Sequence, residues 1–413
     1  MVFSNGGPEL RRTRLVGAAF VGLLIAGCAG TGNTPSDGSG RTTVSAAGVS
    51  SAARSGTWRA WTTANSAQEG LCQATAHQVV CGTRSGGLLG RSRNTGKVTW
   101  SVPATGSVKK PVLVVDAADE RAVAGGGEIL RAANLRTGRA AWTHRLADGS
   151  ISAAISASDR TVYALETLAK PSENVVLRAF RASDGKQLWH RTVDADPYGD
   201  LASFGGRVYI TDGTRVTARD ARTGAAVAVS PRTAECPNLV SGGGYLVCTG
   251  SPYSAMDYFP PLQRLDPVSL KPLPTAEGTG MLPARGLISA DGVLMLCETS
   301  AEDPGGCDWN AYDLVRHRKL WSYPTTTYQA GITGGRFVTF TPDNDRATKG
   351  RVITIDLRKG PQATGSAAPR MSPAYPQARG GEHPGLVVPL GSDAGHIVIQ
   401  AAAHRSLRSV PLP

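Results

Sequence analysis

The chain has 413 residues, 50 of them glycine, with 6% aromatics and a formal net charge of +12. That length allows one large repeat domain or two ordinary ones, and the short apolar runs show little 3.6-residue periodicity, so the pattern points to a mostly β protein and against a helical one. The basic residues are scattered rather than clustered, which argues against nucleic acid and for anionic surroundings such as lipid headgroups, envelope polymers or acidic partners.

Arg11, Arg12 and Arg14 precede an apolar run over residues 15–27. Thirteen residues are too few to span a bilayer comfortably and suit the h-region of an export signal. The run ends Leu24-Ile25-Ala26-Gly27-Cys28. Small residues before a cysteine at this place resemble a bacterial lipobox. The resemblance implies cleavage before Cys28, diacylglycerol on its sulfur and acylation of the new amino group. An ordinary secretory signal with an incidental cysteine is the alternative; a twin-arginine signal fits less well, because Arg14 stands where that pattern wants an apolar residue. Two or more acyl chains hold a protein stably on a membrane. The expected divisions are a lipoprotein signal peptide over 1–27, a flexible Gly/Ser/Thr/Ala tether over 28–55, and a folded body over 56–413. Some 27 tether residues reach about 30 Å. The expected location is the extracytoplasmic face of the cell membrane. Loss of Arg11, Arg12, Arg14 and Glu9 with the leader leaves a net charge of +10.

The body repeats one phrase, a Thr-Gly-type turn followed four residues after the glycine by tryptophan. Gly96 precedes Trp100, Gly138 precedes Trp142 and Gly185 precedes Trp189. A fourth copy keeps Gly224 and has Ala228 in place of the tryptophan; another keeps Trp321 and has His317 in place of the glycine. Trp100 to Trp142 is 42 residues, Trp142 to Trp189 is 47, and Trp189 to Trp321 is 132, three units of 44. Trp58 lies a further 42 residues before Trp100 and extends the register to the start of the body. A period in the forties with a turn in every unit marks a propeller-like array. Eight units follow, over about 67–104, 105–148, 149–195, 196–231, 232–276, 277–325, 326–366 and 367–413, each with four short antiparallel strands. A lone four-stranded sheet buries neither face, so each tryptophan is expected to lie between blades and cover the next unit's glycine turn. Closure has two solutions. Residues 57–61 supply the last outer strand, or residues 406–410 fill that place themselves; an irregular last unit would leave seven blades.

The copies ending at Trp100, Trp142 and Trp189 resemble the repeats of the pyrroloquinoline-quinone (PQQ)-type propellers. That superfamily includes quinoprotein alcohol dehydrogenases, the lipoprotein propeller of the outer-membrane assembly machinery and sensor domains of bacterial receptor kinases. The resemblance spans most of 56–413 and implies an eight-bladed ring around a central channel. It does not by itself imply the quinone.

With Cys28 assigned to lipid, six cysteines remain, an even number suited to an oxidising compartment. Locality pairs Cys72 with Cys81, Cys236 with Cys248, and Cys297 with Cys307. The first two pairs would join first and second strands of one blade, the third a second strand to a third. No C-x-x-C is present, which disfavours a metal site.

No His pair, G-x-S-x-G elbow or adjacent cysteine pair occurs. Asp194, Asp196 and Asp200, and Asp343 with Asp345, have alternating oxygens that could suit calcium, but turns favour the same residues for their own hydrogen bonds. No catalytic residue, metal or cofactor is assigned. The expected function is a non-catalytic, membrane-anchored scaffold that binds an envelope protein or anionic polymer. The alternatives are a quinone- or metal-dependent dehydrogenase-like enzyme and a small-ligand sensor.

Overall fold

The structure is a computed structural model. It describes residues 59–413 apart from 65–68, 76, 105–107, 109–110, 117, 148, 169–174, 197–198, 251–260, 277–281, 300–306, 326, 328, 343–348, 377–384, 388–394 and 401–405. The expected signal peptide and tether, with Cys28, and also Trp58, Asp343 and Asp345, lie outside the described residues.

Eight antiparallel sheets follow one another along the chain and close into an eight-bladed β-propeller. Blade 1 shows the plan: Glu69–Ala74, Gln78–Thr83, Leu88–Ser92 and Val98–Val102, paired in that order from the channel outwards. Blades 2 to 7 occupy 112–145, 150–193, 201–229, 238–273, 282–325 and 330–371. In blade 7 the outer position is shared, because both Arg370–Met371 and Tyr375–Pro376 pair with Lys349–Asp356. No α-helix occurs among the described residues; one 3-10 turn covers Gly365–Ala367.

The eighth blade joins the two ends of the body. Gly385–Val387, His396–Gln400 and Ser406–Pro411 are its inner three strands, and Trp61–Ala64 is its outermost. Trp61 stands opposite Ser409 and Ala64 opposite Ser406. The amino-terminal segment therefore closes the ring, and Ser406–Pro411 is a third strand. The 42-residue spacing that singles out Trp58 is three residues too long, for the tryptophan in register is Trp61.

The second and third strands carry the core. Val79, Val80, Cys81, Ala122, Val123 and Ala124 are all but fully buried, and so are their counterparts Val208, Leu246, Leu294 and Val338. Their two faces supply two different clusters: Val80 packs towards blade 2, whereas Val79 and Cys81 pack towards Val398 and Leu407 of blade 8. Alternation at period two, which in an open sheet gives one dry and one wet face, here gives two dry faces, because every blade has a neighbour on each side.

Alternating strand direction places the turns between first and second, and between third and fourth, strands of all blades on one face of the ring. This turn face carries the repeated Thr-Gly phrases. In blades 4, 5 and 7 the inner turn is Gly-Gly, at 205–206, 243–244 and 334–335, with every φ between +54° and +84°. These two-residue hairpins need positive φ at both positions.

Candidate functional site

The repeated phrase builds the joints between blades. A Cβ placed on Gly138 would lie 2.0 Å from Cβ of Trp100, in the blade before it. Gly96 stands in the same relation to Trp61, Gly185 to Trp142, Gly224 to Trp189 and Gly360 to Trp321, with approaches of 2.4–2.7 Å. All five glycines have φ between +66° and +75°. The position thus requires glycine twice over, for its backbone and for the indole lying on it. Across the sheet each tryptophan faces a small residue: Gly90 opposite Trp100, Ala132 opposite Trp142, Ala179 opposite Trp189 and Ala311 opposite Trp321. A bulge follows immediately at each of these pairs.

The indole also binds the turn it covers. Trp61 donates to the Arg93 carbonyl at 2.6 Å, Trp142 to Ala182 at 2.9 Å, Trp189 to Ala221 at 3.0 Å and Trp321 to Leu357 at 2.9 Å. Each acceptor is the same position of the following blade's outer turn. Between blades 1 and 2 the bond passes through a relay. Trp100 Nε1 donates to Gln78 Oε1 at 2.8 Å, and Gln78 Nε2 donates to the Leu135 carbonyl at 2.6 Å.

Blades 4 and 5 have no tryptophan, and the turns that follow them have no glycine. Leu270 and His317 take the left-handed seat there, with φ of 56° and 55°. With no indole overhead a side chain fits. Leu270 is fully buried against Ala202, Tyr209 and Val216 of blade 4. The carbonyl bond survives with other donors: Tyr209 Oη to Pro267 at 2.9 Å and Arg264 Nη1 to Leu314 at 2.8 Å. Trp309, on the third strand of blade 6, is a further fully buried indole outside the repeat; it donates to the Thr327 carbonyl at 3.1 Å.

The turns are held from within by one side chain at their start. Asn134 Oδ1 accepts from the amide and hydroxyl of Thr137, and Asp220 Oδ1 does the same from Thr223. Asp266 accepts from the amides of Val268 and Ser269. Donation from Thr223, first by its hydroxyl and then by its amide, holds the Asp220 carboxyl below the ordinary range, and Ser269, first by its amide and then by its hydroxyl, does the same to Asp266. Burial pushes Asp313 up, but the amides of Arg316 and Val315, with the guanidiniums of Arg316 and Arg358, bring it below its ordinary value. Arg358, in blade 7, donates to Asp313 Oδ2 at 2.9 Å, to Asp291 Oδ2 at 3.0 Å and to the Asp291 carbonyl at 2.9 Å. It latches blade 7 to blade 6.

Disulfides join Cys72 to Cys81 and Cys236 to Cys248. The first links first and second strands of blade 1; Cys236 lies just ahead of the first strand of blade 5, Asn238–Gly242. Cys297 is also disulfide-bonded, while the side chain of Cys307 is outside those described. Asp194, Asp196 and Asp200 do not form a metal cluster: among the described residues no three His, Cys, Asp or Glu side chains are placed to hold an ion. His190 is exposed on the outer strand Gln187–Val193. His144, on the outer strand of blade 2, is only half-exposed, because it packs 4.5 Å from the Phe180 ring of blade 3. That burial, and then Arg178, hold its pKa below the ordinary histidine value, against an opposing pull from Glu166.

Two features of the turn face remain. A cavity of about 640 Å³ opens between blades 2 and 3, lined in part by Asp119, Glu120, Asp159 and Arg160. Glu120, Asp159 and Arg160 have positive φ, so side chains stand there where blades 4, 5 and 7 use glycine. Outside this, each of the seven described outer turns presents an exposed cation: Lys97, Arg139, Lys186, Arg222, Lys271, Arg318 and Lys359, in order around the ring.

The sequence model of the family described as outer membrane protein assembly factor BamB matches residues 45–235. A comparison with curated proteins found no match. Among solved structures the fold is similar to BamB from Moraxella catarrhalis, with a TM-score of 0.55 at 17% identity over 83% of this chain and 96% of that one. It is similar to the computationally designed Ika8 protein, with a TM-score of 0.60 at 12% identity over 85% and 99%. It is also similar to the quinohemoprotein alcohol dehydrogenase ADHIIG of Pseudomonas putida HK5, with a TM-score of 0.53 at 12% identity over 86% and 76%. The eight-bladed ring is a β-propeller, and its repeat phrase and the match over residues 45–235 make it similar to the PQQ-like propellers.

Proposed function

We propose that the chain is an extracytoplasmic lipoprotein, anchored through Cys28, whose propeller is a non-catalytic scaffold for a protein partner in the cell envelope. The match of residues 45–235 to the family described as outer membrane protein assembly factor BamB carries this reading. The lipobox-like segment ending at Cys28, the paired cysteines and the net positive charge support it. The repeated tryptophans and turn aspartates are engaged in joining blades and bracing turns, which is the work of a rigid platform. Gentle crosslinking in cells followed by purification of the intact protein tests it. A recurrent envelope protein, captured in stoichiometric amount, is the expected result; capture of none under conditions that retain the propeller would end the scaffold reading.

A quinone-dependent enzyme is the second reading, favoured by the shared fold with the quinohemoprotein dehydrogenase. The quinoprotein dehydrogenases that the repeats resemble carry a disulfide between adjacent cysteines over the quinone and acidic ligands for calcium; here no two cysteines adjoin, and no described cluster suits a metal ion. Saturable dye reduction after addition of quinone and calcium would replace the scaffold reading with this one.

A further inference from the structure

We propose that the turn face is a docking surface for an anionic lipid membrane. The setting rests on the anchored-lipoprotein reading above; the orientation comes from the geometry of the ring. The outer turns form a perimeter of cations at each described blade. Eleven exposed Lys and Arg side chains stand in these turns against five aspartates, four of them drawn in at the turn starts, as at Asp220, Asp266 and Asp313. The inner turns of the same face are more acidic, with Asp119, Glu120, Asp159 and Asp291 against Arg160, so the cationic excess lies at the rim alone.

The chain enters the ring on the same face. Trp61 lies on Gly96, in the outer turn of blade 1, and Arg59, just before it, accepts Ser409 Oγ at its carbonyl. A strand in the outermost position begins at the turn face and runs away from it. The described chain thus joins the ring at Arg59, on its cationic rim, so on the anchored reading the connection towards Cys28 leaves from that face. An anionic leaflet attracts cations held within a Debye length of it, adding about fivefold to the partition for each. A flat rim can bring several into that range together.

The test uses the purified, acylated protein on vesicles and a water-soluble amine-reactive ester, with modification of each lysine read by mass spectrometry. Lys97, Lys186, Lys271 and Lys359 are on the turn face; Lys349, which opens the third strand of blade 7, is on the opposite one. On phosphatidylglycerol vesicles the four are expected to be protected at least fivefold relative to phosphatidylcholine, with Lys349 unchanged and the protection lost in high salt. Two variants of equal net charge separate the face from the total. Reversal of Lys97, Lys186 and Lys271 to Glu should lower the docked population by about a hundredfold and abolish protection of Lys359. Reversal of Arg145, Arg232 and Lys349 to Glu should leave it in place. Equal modification on both lipids, equal effects of the two variants, or the same protection by a soluble anionic polymer over neutral vesicles would each overturn the proposal. The anchor is read separately, from retention on neutral vesicles, and its failure would leave the lipid comparison intact.

Discussion

Gly138→Ala tests the joint between blades 1 and 2. The new methyl would lie 2.0 Å from Trp100 Cβ and 2.1 Å from its Cγ, at a φ of +66°. Left-handed backbone costs about 1–2 kcal/mol for a residue with a Cβ. Displacing the indole adds an overpacking cost of about 1–3 kcal/mol. The relay through Gln78 to Leu135 would weaken as well, at about 1 kcal/mol. The expected loss is about 3–6 kcal/mol. Gly205→Ala is the control: its φ is +59°, and nothing lies within 4 Å of the added methyl. It should lose only the backbone cost. Urea unfolding followed by tryptophan fluorescence measures both, and a Trp100→Ala background should shrink the Gly138→Ala effect to that of the control. Equal losses for Gly138→Ala and Gly205→Ala in the parent chain would refute the view that the indole dictates the glycine.

Three further expectations concern other joints. Arg358→Ala should cost about 1–3 kcal/mol by urea unfolding, below the cost of opening a fully buried pair because Arg358 is 37% exposed and Arg316 still faces Asp313. His144 has a folded pKa below its unfolded value, so its contribution is present above about pH 6.5 and is lost as the pH falls through the folded pKa. Stability should therefore fall between pH 7.5 and 5, and His144→Gln should flatten that slope, by less than the roughly 1.4 kcal/mol per pH unit that one proton can supply. Replacing Cys72 and Cys81 by Ser should lower stability by about 2.5–3 kcal/mol under oxidising conditions and by nothing after reduction, since the bridge closes a loop only nine residues long.

The ring was legible in the sequence wherever its joints repeat one chemistry. An indole needs a bare turn beneath it, so Trp and Gly recur together, and each unit is long enough for only four strands. The same rule explains the departures. Ala228 ends blade 4 without an indole, and Leu270 in the next turn is then free to keep a side chain. That coupling, and the small residue ten positions before each tryptophan, at Gly90, Ala132, Ala179 and Ala311, stand in the sequence for a reader who asks what the indole leans on. Other features have no local signature. Trp58 and Trp61 are three residues apart, and only pairing with Ser409 decides between them. The burial of His144 depends on Phe180 in another blade, and the Arg358 latch joins residues 67 positions apart. The turn-face cations are separately ordinary surface residues; only the ring gathers them into a rim.

Closure through Trp61–Ala64 has a consequence for biogenesis. A chain made from its amino end must carry this segment unpaired until the segment Ser406–Pro411 is also available, because the two are neighbours only in the finished toroid. Until then blade 8 offers an open hydrogen-bonding border, a template for pairing with the wrong chain. Such late, long-range closure is slow, so the interval between synthesis and sealing is when this protein most needs shielding, and trimming either end would prolong it indefinitely.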